Sequence, residues 1–144
     1  MKEYVYAVLR VRSRLDRLES KLDGMLDKLS VCRDSDTFGL MTAVLGVVEL
    51  KRMVVDIAKA YDAMRNALSA SETRVLEAKT EGKSDERTAA ELGVCRATVR
   101  KLRTAAERRC ENVLLNLQKF GLDVTACKDA FIMAGLKKRD RQVA

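Results

Sequence analysis

The residues that follow Gly93 carry side chains suited to binding a polyanion. From Arg96 to Arg109 there are six basic residues and one acidic residue, so the net charge is 6 − 1 = +5. From Ser84 to Glu91 there are one basic and three acidic residues, so the net charge is 1 − 3 = −2. Guanidinium and ammonium groups donate hydrogen bonds to phosphate oxygens and to the acceptor edges of bases. This change of charge at a glycine predicts a nucleic-acid-binding segment.

Two short helices are predicted to hold this basic segment. Ser84 can cap the first helix, because its hydroxyl accepts a hydrogen bond from the free backbone N–H groups, and the two acidic residues after it suit the helix dipole. Gly93 is expected to end that helix, since glycine takes the left-handed conformation that a helix end needs. The second helix begins at residue 95 or 96 and is predicted to continue to Leu117.

Small and apolar residues around Gly93 fit two helices that cross closely. Ala89 is small enough for the second helix to pass over it. Aliphatic residues are expected to fill the space beneath the corner, namely Leu92, Val94, Val99 and Leu102. Thr88 stands where a larger aliphatic residue is usual, so we expect looser packing there. These positions together predict a helix-turn-helix.

A helix fits the major groove of double-stranded DNA and presents its N-terminal residues to the base edges. The expected base contacts lie on the side of the second helix opposite to its apolar residues: Arg96, Arg100, Lys101 and Thr104. The expected phosphate contacts are Lys83, Ser84 through the backbone N–H at its helix start, Arg103 and Arg108. A solvated helix face is the alternative interpretation of this charge run.

The segment LSASETRVLEAKTEGKSDERTAAELGVCRATVRKLRTAAERR, residues 68–109, resembles the part of bacterial sigma-70-type factors that recognises the −35 promoter element. It is also similar to the related module of LuxR-type regulators. The matching pieces are LSASETRVL, EGKS, AAELGV and TVRKL. The resemblance implies a sigma-region-4-like helix-turn-helix that regulates transcription at a specific DNA site. A helical N-terminal half joined to this module also resembles the small phage-encoded late-gene activators of the RinA and ArpU kind.

The N-terminal half carries two heptad stripes that predict two long helices, residues 1–68, packed as a coiled-coil-like antiparallel hairpin. The first stripe is Met1, Tyr4, Val8, Val11, Leu15, Leu18, Leu22, Met25 and Leu29. The second is Leu40, Ala43, Val47, Leu50, Val54, Ile57, Tyr61, Met64 and Leu68. The polar segment CRDSD lies between them, where Ser35 or Asp36 can cap the second helix. A further apolar edge on this helix is available to another chain or to the C-terminal unit, and consists of Met41, Val44, Leu45, Val48 and Val55.

The sequence therefore predicts an all-α protein in three segments. Residues 1–68 form the scaffold and dimerisation hairpin, residues 69–119 the DNA-binding domain, and residues 120–144 a short helix and a basic tail. Asp123 is expected to cap the last helix, which places Val124, Cys127, Phe131 and Leu136 on one side. The basic tail contains Lys137, Lys138, Arg139 and Arg141.

Composition limits the classes of function. The 144 residues include no histidine and carry a net charge of +7. Without histidine there is no ordinary general base at neutral pH and no Cys/His zinc site. The four cysteines contain no C-x-x-C pair, so reduced thiols are expected. We predict a binding protein rather than an enzyme, with no metal and no cofactor, and a polyanion as partner.

The charged N-terminus and the short uncharged stretch from Phe38 to Val48 predict neither a signal peptide nor a membrane span, which favours a cytoplasmic protein. A homodimer is expected, because one helix-turn-helix contacts few base pairs. Two alternatives stay open. The module could dock on RNA polymerase as a sigma-like accessory protein, or the chain could be a DNA-packaging subunit like a phage small terminase.

Overall fold

The computed structural model describes residues 1–31 and 37–135 of the chain. These residues form helices, and none of them lies in a β-strand, which confirms the all-α prediction. The helices are α1 (Lys2–Val11), α2 (Leu15–Ser30), α3 (Thr37–Ala67), α4 (Ala70–Thr80), α5 (Asp85–Leu92), α6 (Arg96–Lys119) and α7 (Lys128–Met133). Short 3-10 helices occupy Arg12–Arg14 and Val124–Cys127.

The first heptad stripe does not lie on one continuous α-helix. The 3-10 helix Arg12–Arg14 separates α1 from α2 and winds the chain more tightly at that point. Val11 and Leu15 flank this segment, and both are buried in the core. The apolar side of the chain therefore stays inward across the 3-10 helix.

Helix α3 packs against α1 and α2 along one side. Val54, Ile57 and Met64 on that side are buried. Lys51 of α3 forms an ion pair with Asp23 of α2, with Nζ and Oδ1 2.5 Å apart. Nearer the other end of α3, the Arg12 guanidinium lies 5.4 Å from the centroid of the Tyr61 ring. The expected cap at Ser35 or Asp36 lies outside the described residues.

Helix α6 is the element that joins the two ends of the chain. Its middle and C-terminal turns contribute Ala106, Cys110 and Leu114 to the largest core cluster, which also contains residues of α1, α2 and α3. The C-terminal segment closes this core, with Val124, Cys127, Ala130 and Phe131 all buried. The three segments named from the sequence therefore share one core.

The last helix begins later than the sequence indicated. Asp123 is the cap of the 3-10 helix, where its carboxylate accepts from the Thr125 N–H at 2.9 Å, and α7 follows from Lys128. Leu136, which was expected on the inward side of this helix, and the basic tail lie outside the described residues. Within residues 1–31 and 37–135, no helix combines the length and the apolar character needed to cross a lipid bilayer.

Candidate nucleic-acid interface

The corner between α5 and α6 is fixed by local sequence. Ser84 caps α5, since its hydroxyl accepts from the Arg87 N–H at 3.2 Å. Gly93 ends α5 with φ 69° and ψ 31°, which is the left-handed conformation. A Cβ at this position would meet no atom within 4 Å, so the backbone angle, rather than space, requires glycine. Both expectations for this corner, the cap and the left-handed glycine, are confirmed.

A small apolar cluster holds α5 and α6 together. It consists of the buried Val75, Ala89 and Val99, with the half-buried Leu92 and Leu102 packed against it. The prediction for Val94 was wrong: its side chain is 38% exposed. It lies in the turn after Gly93, outside the contact between the two helices, and Val75 of α4 completes the cluster instead.

Thr88 fits its buried position in spite of its polarity. The residue is buried, and its hydroxyl donates to the Ser84 carbonyl oxygen at 2.9 Å. A buried hydroxyl costs free energy only when its hydrogen bond is not made. The threonine therefore satisfies its polar group locally, within the first turn of α5, and leaves its methyl group for packing.

Five of the expected contact residues form one exposed surface on the first thirteen residues of α6, from Arg96 to Arg108. We call this surface the basic face; it consists of Arg96, Arg100, Lys101, Thr104 and Arg108, all exposed. The Thr104 hydroxyl donates to the Arg100 carbonyl oxygen at 3.0 Å. Within residues 1–31 and 37–135, Lys101 and Arg108 take part in no ion pair. Their charges point to solvent and are available to a polyanion.

Two acidic residues of α5 lie beside the edge of the basic face. Glu86 Oε1 is 3.2 Å from Arg96 Nη1, and Asp85 Oδ2 is 3.6 Å from Arg100 Nε. Both arginine side chains remain more than half exposed. Exposed ion pairs contribute little free energy, because water screens them. A phosphate or a base edge can therefore replace these carboxylates at low cost.

Arg103, for which a phosphate contact was expected, is placed differently from the basic face. Its side chain is only 19% exposed. Nη1 donates to one carboxylate oxygen of Asp85, and Nη2 donates to the other at 3.3 Å. These bonds raise the pKa of Arg103 and lower the pKa of Asp85. Because both ends of its fork are occupied, Arg103 joins α5 to α6 instead of facing a ligand.

Lys83 and Ser84 lie at the start of α5 and have internal partners. The Lys83 ammonium is 3.3 Å from carboxylate oxygens of both Glu91 and Glu81, and these bonds raise its pKa. The Ser84 hydroxyl is occupied by its capping bond, while the expected phosphate contact through the backbone N–H stays a prediction. A phosphate at this point meets a lysine whose charge is already compensated, so the geometry favours the basic face over the start of α5.

A buried carboxylate on α6, which the charge count did not single out, fixes the helix to the N-terminus. Glu107 is 7% exposed and accepts from the Tyr6 hydroxyl at 2.5 Å. Lys2 Nζ lies 2.8 Å from its other oxygen. Burial alone raises the pKa of a carboxylic acid, but the hydrogen bonds from Lys2 and Tyr6 outweigh it, so the pKa of Glu107 is lowered.

A second buried carboxylate connects α6 with α4. Glu72 closes the capping box of α4, where its Oε1 accepts from the Ser69 N–H at 3.1 Å. The same oxygen accepts from Arg109 Nη1 at 3.0 Å. Three carboxylates therefore tie α6 to its neighbours: Glu107 to α1, Glu72 to α4 and Asp85 to α5. The basic face is presented by a helix that cannot rotate freely about its axis.

The sequence contained a signal for the inward side of α6. Arg103, Glu107, Cys110 and Leu114 follow one another at spacings of four, three and four residues, which places them on one helical side. Val99 and Ala106 of the same helix are buried as well. The buried side of α6 is therefore wide enough to include Glu107, and Arg103 beside it is only 19% exposed.

The chain gives no sign of a metal centre in its described part. Among residues 1–31 and 37–135, no three His, Cys, Asp or Glu side chains are grouped so as to hold a metal ion. Cys110 and Cys127 are buried, and burial raises the pKa of these thiols to about 12 and about 11. Cys95 is exposed at the start of α6, and a hydrogen bond from Thr98 lowers its pKa.

Comparisons with known proteins add nothing to this geometry. No family model, no curated protein and no solved structure matches the chain. The resemblance to the sigma-70 module therefore depends on the quoted residues alone. The case for a functional site depends on the basic face, on the corner at Gly93 and on the carboxylates that hold α6.

Proposed function

We propose that this protein binds a specific site on double-stranded DNA and regulates transcription. In this proposal α5, the turn at Gly93 and α6 act as a helix-turn-helix, and α6 enters the major groove. The observation that carries the proposal is the basic face: it is exposed from Arg96 to Arg108 of α6, while the other side of the same helix is packed into the protein.

The geometry favours particular roles for the residues of the basic face. Arg96, Arg100, Lys101 and Thr104 lie near the start of α6, where a helix in the major groove presents its residues to base edges. Arg108 lies about one turn beyond Thr104, and it suits a phosphate on the flank of the groove. Arg103 is a positioning residue, because its bonds to Asp85 set the angle between α5 and α6.

The N-terminal helices are proposed to act as an antiparallel hairpin that carries the DNA-binding helices. The Asp23–Lys51 ion pair joins the middle of α2 to the middle of α3. The Arg12–Tyr61 contact joins the 3-10 helix that precedes α2 to the C-terminal part of α3. The earlier residue of the first segment thus contacts the later residue of α3, as it does when two helices are antiparallel. We expect a homodimer bound to an inverted repeat.

Selection of bound sequences from random double-stranded DNA tests the proposal. The wild-type protein is expected to enrich one motif. R100A is expected to lose about 1–3 kcal/mol of binding free energy and to relax the preference at one base pair, since a bidentate arginine contact is removed. R17A is the matched control, because it removes an exposed arginine from α2, outside the basic face. An absent motif, or an R100A motif equal to that of the wild type, contradicts the proposal.

The two alternatives give different results in neighbouring experiments. A sigma-like accessory protein is retained by RNA polymerase in a pull-down and binds DNA weakly alone. A packaging subunit assembles into a ring, with a mass of many chains in light scattering. A salt titration adds a quantitative check: R108A is expected to lower the slope of log affinity against log salt by about one unit, without changing the enriched motif.

A further inference from the structure

The outer side of α3 carries a row of large apolar side chains that the described residues leave exposed. Their exposed fractions lie between 47% and 82%. We call this row the outer stripe; it consists of Phe38, Met41, Leu45, Val48 and Val55. Spacings of three, four, three and seven residues are those of a and d positions in a heptad. The outer stripe therefore has the form of one half of a helix–helix seam.

The outer stripe lies opposite to the side by which α3 joins the core. Val48 and Ile57 are nine residues apart, which corresponds to about 180° around a helix. Ile57 is fully buried, whereas Val48 is exposed. Rotation of α3 cannot bury the outer stripe without exposing Ile57, so any cover has to come from outside the described fold.

The sequences of residues 32–36 and 136–144 are poorly suited to pack against the outer stripe. Residues 32–36 have the sequence CRDSD, and residues 136–144 have the sequence LKKRDRQVA. Five of the nine residues in the second segment are charged, and three are apolar. An a/d row is filled by the apolar side chains of another helix, which neither segment can supply over five positions.

We propose that the outer stripe binds the outer stripe of a second copy of this chain, with the two α3 helices antiparallel. The stripe is complementary to itself in one antiparallel register. In this register position 38 lies opposite position 55, position 41 opposite position 52, and position 45 opposite position 48. Phe38 faces Val55 of the partner subunit, and Leu45 faces Val48 of the partner subunit. Each contact occurs twice, as a twofold axis requires.

Charge distinguishes this arrangement from a parallel one. Arg52 occupies the heptad position between Val48 and Val55. Parallel helices bring Arg52 against Arg52 of the partner subunit, and like charges then meet in an apolar seam. In the antiparallel register Arg52 faces Met41 of the partner subunit, which can lie along the aliphatic stem. The guanidinium keeps its bond to Glu49 on its own helix, where Nε and Oε2 are 3.3 Å apart.

The size of the surface sets the expected strength of the dimer. The outer stripe spans 18 residues, which is about 26 Å of helix between its first and last residues. Its exposed apolar area is on the order of a few hundred Å², which is the size of apolar patches that mark interfaces. This area is smaller than the roughly 800 Å² that each partner buries in a standard complex. We therefore expect a reversible dimer that dissociates on dilution.

Sedimentation or light scattering over a concentration series tests the proposal. At the highest concentrations the wild-type mass is expected to reach twice that of the 16.1 kDa chain. L45E is expected to remain at the mass of one chain, with an unchanged helical circular dichroism spectrum. L115E is the matched control, because Leu115 is an exposed leucine on α6. A wild-type monomer at every concentration, or an L45E dimer as stable as the wild type, overturns the proposal.

A pair of single substitutions tests the register and does not depend on L45E folding. M41E places a carboxylate against Arg52 of the partner subunit and is expected to keep the dimer. M41K places two like charges together and is expected to lower the mass to that of one chain. In a parallel dimer residue 41 faces its own copy, so both variants weaken it equally, and equal loss overturns the antiparallel register. No DNA is present in these measurements, so their outcome is separate from the test of DNA binding.

Discussion

Two regions of α6 pair basic and acidic residues, and they do so with opposite consequences. At the corner with α5, Arg96 and Arg100 lie beside carboxylates but stay more than half exposed. At the junction with α1, Glu107 is buried and bonded to Tyr6 and Lys2. The first region keeps its charges available to an outside partner, whereas the second uses its charge to hold the fold. Burial, rather than the number of charges, distinguishes charged residues that can bind a partner from charged residues that stabilise the fold.

Arg100 and Arg103 show the same difference within one turn of helix. Both lie near Asp85, and they are three residues apart. Arg103 uses both ends of its guanidinium on the Asp85 carboxylate, while Arg100 makes one longer contact at 3.6 Å. Asp85 therefore fixes the side chain of Arg103 and only lies near that of Arg100. The comparison leads to predictions that separate stability from DNA affinity.

The largest effect is expected from removal of the buried carboxylate. E107A leaves the Tyr6 hydroxyl and the Lys2 ammonium without their acceptor, so the free energy of unfolding is expected to fall by about 2–3 kcal/mol. Urea denaturation followed by circular dichroism measures this. E86A is the matched control: Glu86 also contacts a basic residue but is exposed, so its loss is expected within about 0.5 kcal/mol. Equal losses for the two variants contradict the distinction drawn here.

An intermediate effect is expected from the two arginines beside Asp85, and it differs in kind between them. R103A removes a half-buried fork and is expected to lower the free energy of unfolding by about 1–2 kcal/mol. R100A is expected to leave stability within about 0.5 kcal/mol and to weaken binding to the selected DNA site instead. Paired unfolding and DNA titrations on both variants measure this. If R103A alters DNA affinity at full stability, Arg103 belongs to the basic face after all.

Local features of this fold followed from the sequence because each depends on a few neighbouring residues. The Ser84 cap and the left-handed Gly93 need only the side chain and backbone at one position. The start of α6 follows from them, and the structure extends the helix to Lys119, two residues beyond the expected end. Inward positions of α2 also followed, since Leu18 and Leu22 repeat at helical spacing and are buried.

Features that depend on distant contacts did not follow from the sequence. Glu107 meets Tyr6 across 101 residues, and no local pattern states which helix will lie beside it. The 3-10 segment at Arg12–Arg14 interrupts a heptad stripe that shows no break in its apolar residues. For Arg103, composition gave the charge but not the packing of α5 against α6 that places Asp85 beside its guanidinium. Side-chain partners are decided by tertiary packing, which overrides the local prediction.

The smallest effect is expected in the pH dependence of stability. Glu107 has a folded pKa lowered from its ordinary value of 4.5, so its hydrogen bonds stabilise the protein above that value, and this contribution is lost as the pH falls through the folded pKa. The difference in unfolding free energy between wild type and the isosteric variant E107Q is therefore expected to be full at neutral pH and to shrink below 4.5. Urea titrations of both proteins across this range measure it. If the difference in unfolding free energy grows on acidification, burial dominates and raises the pKa of Glu107. The bonds from Tyr6 and Lys2 are then too weak to stabilise the junction between α1 and α6.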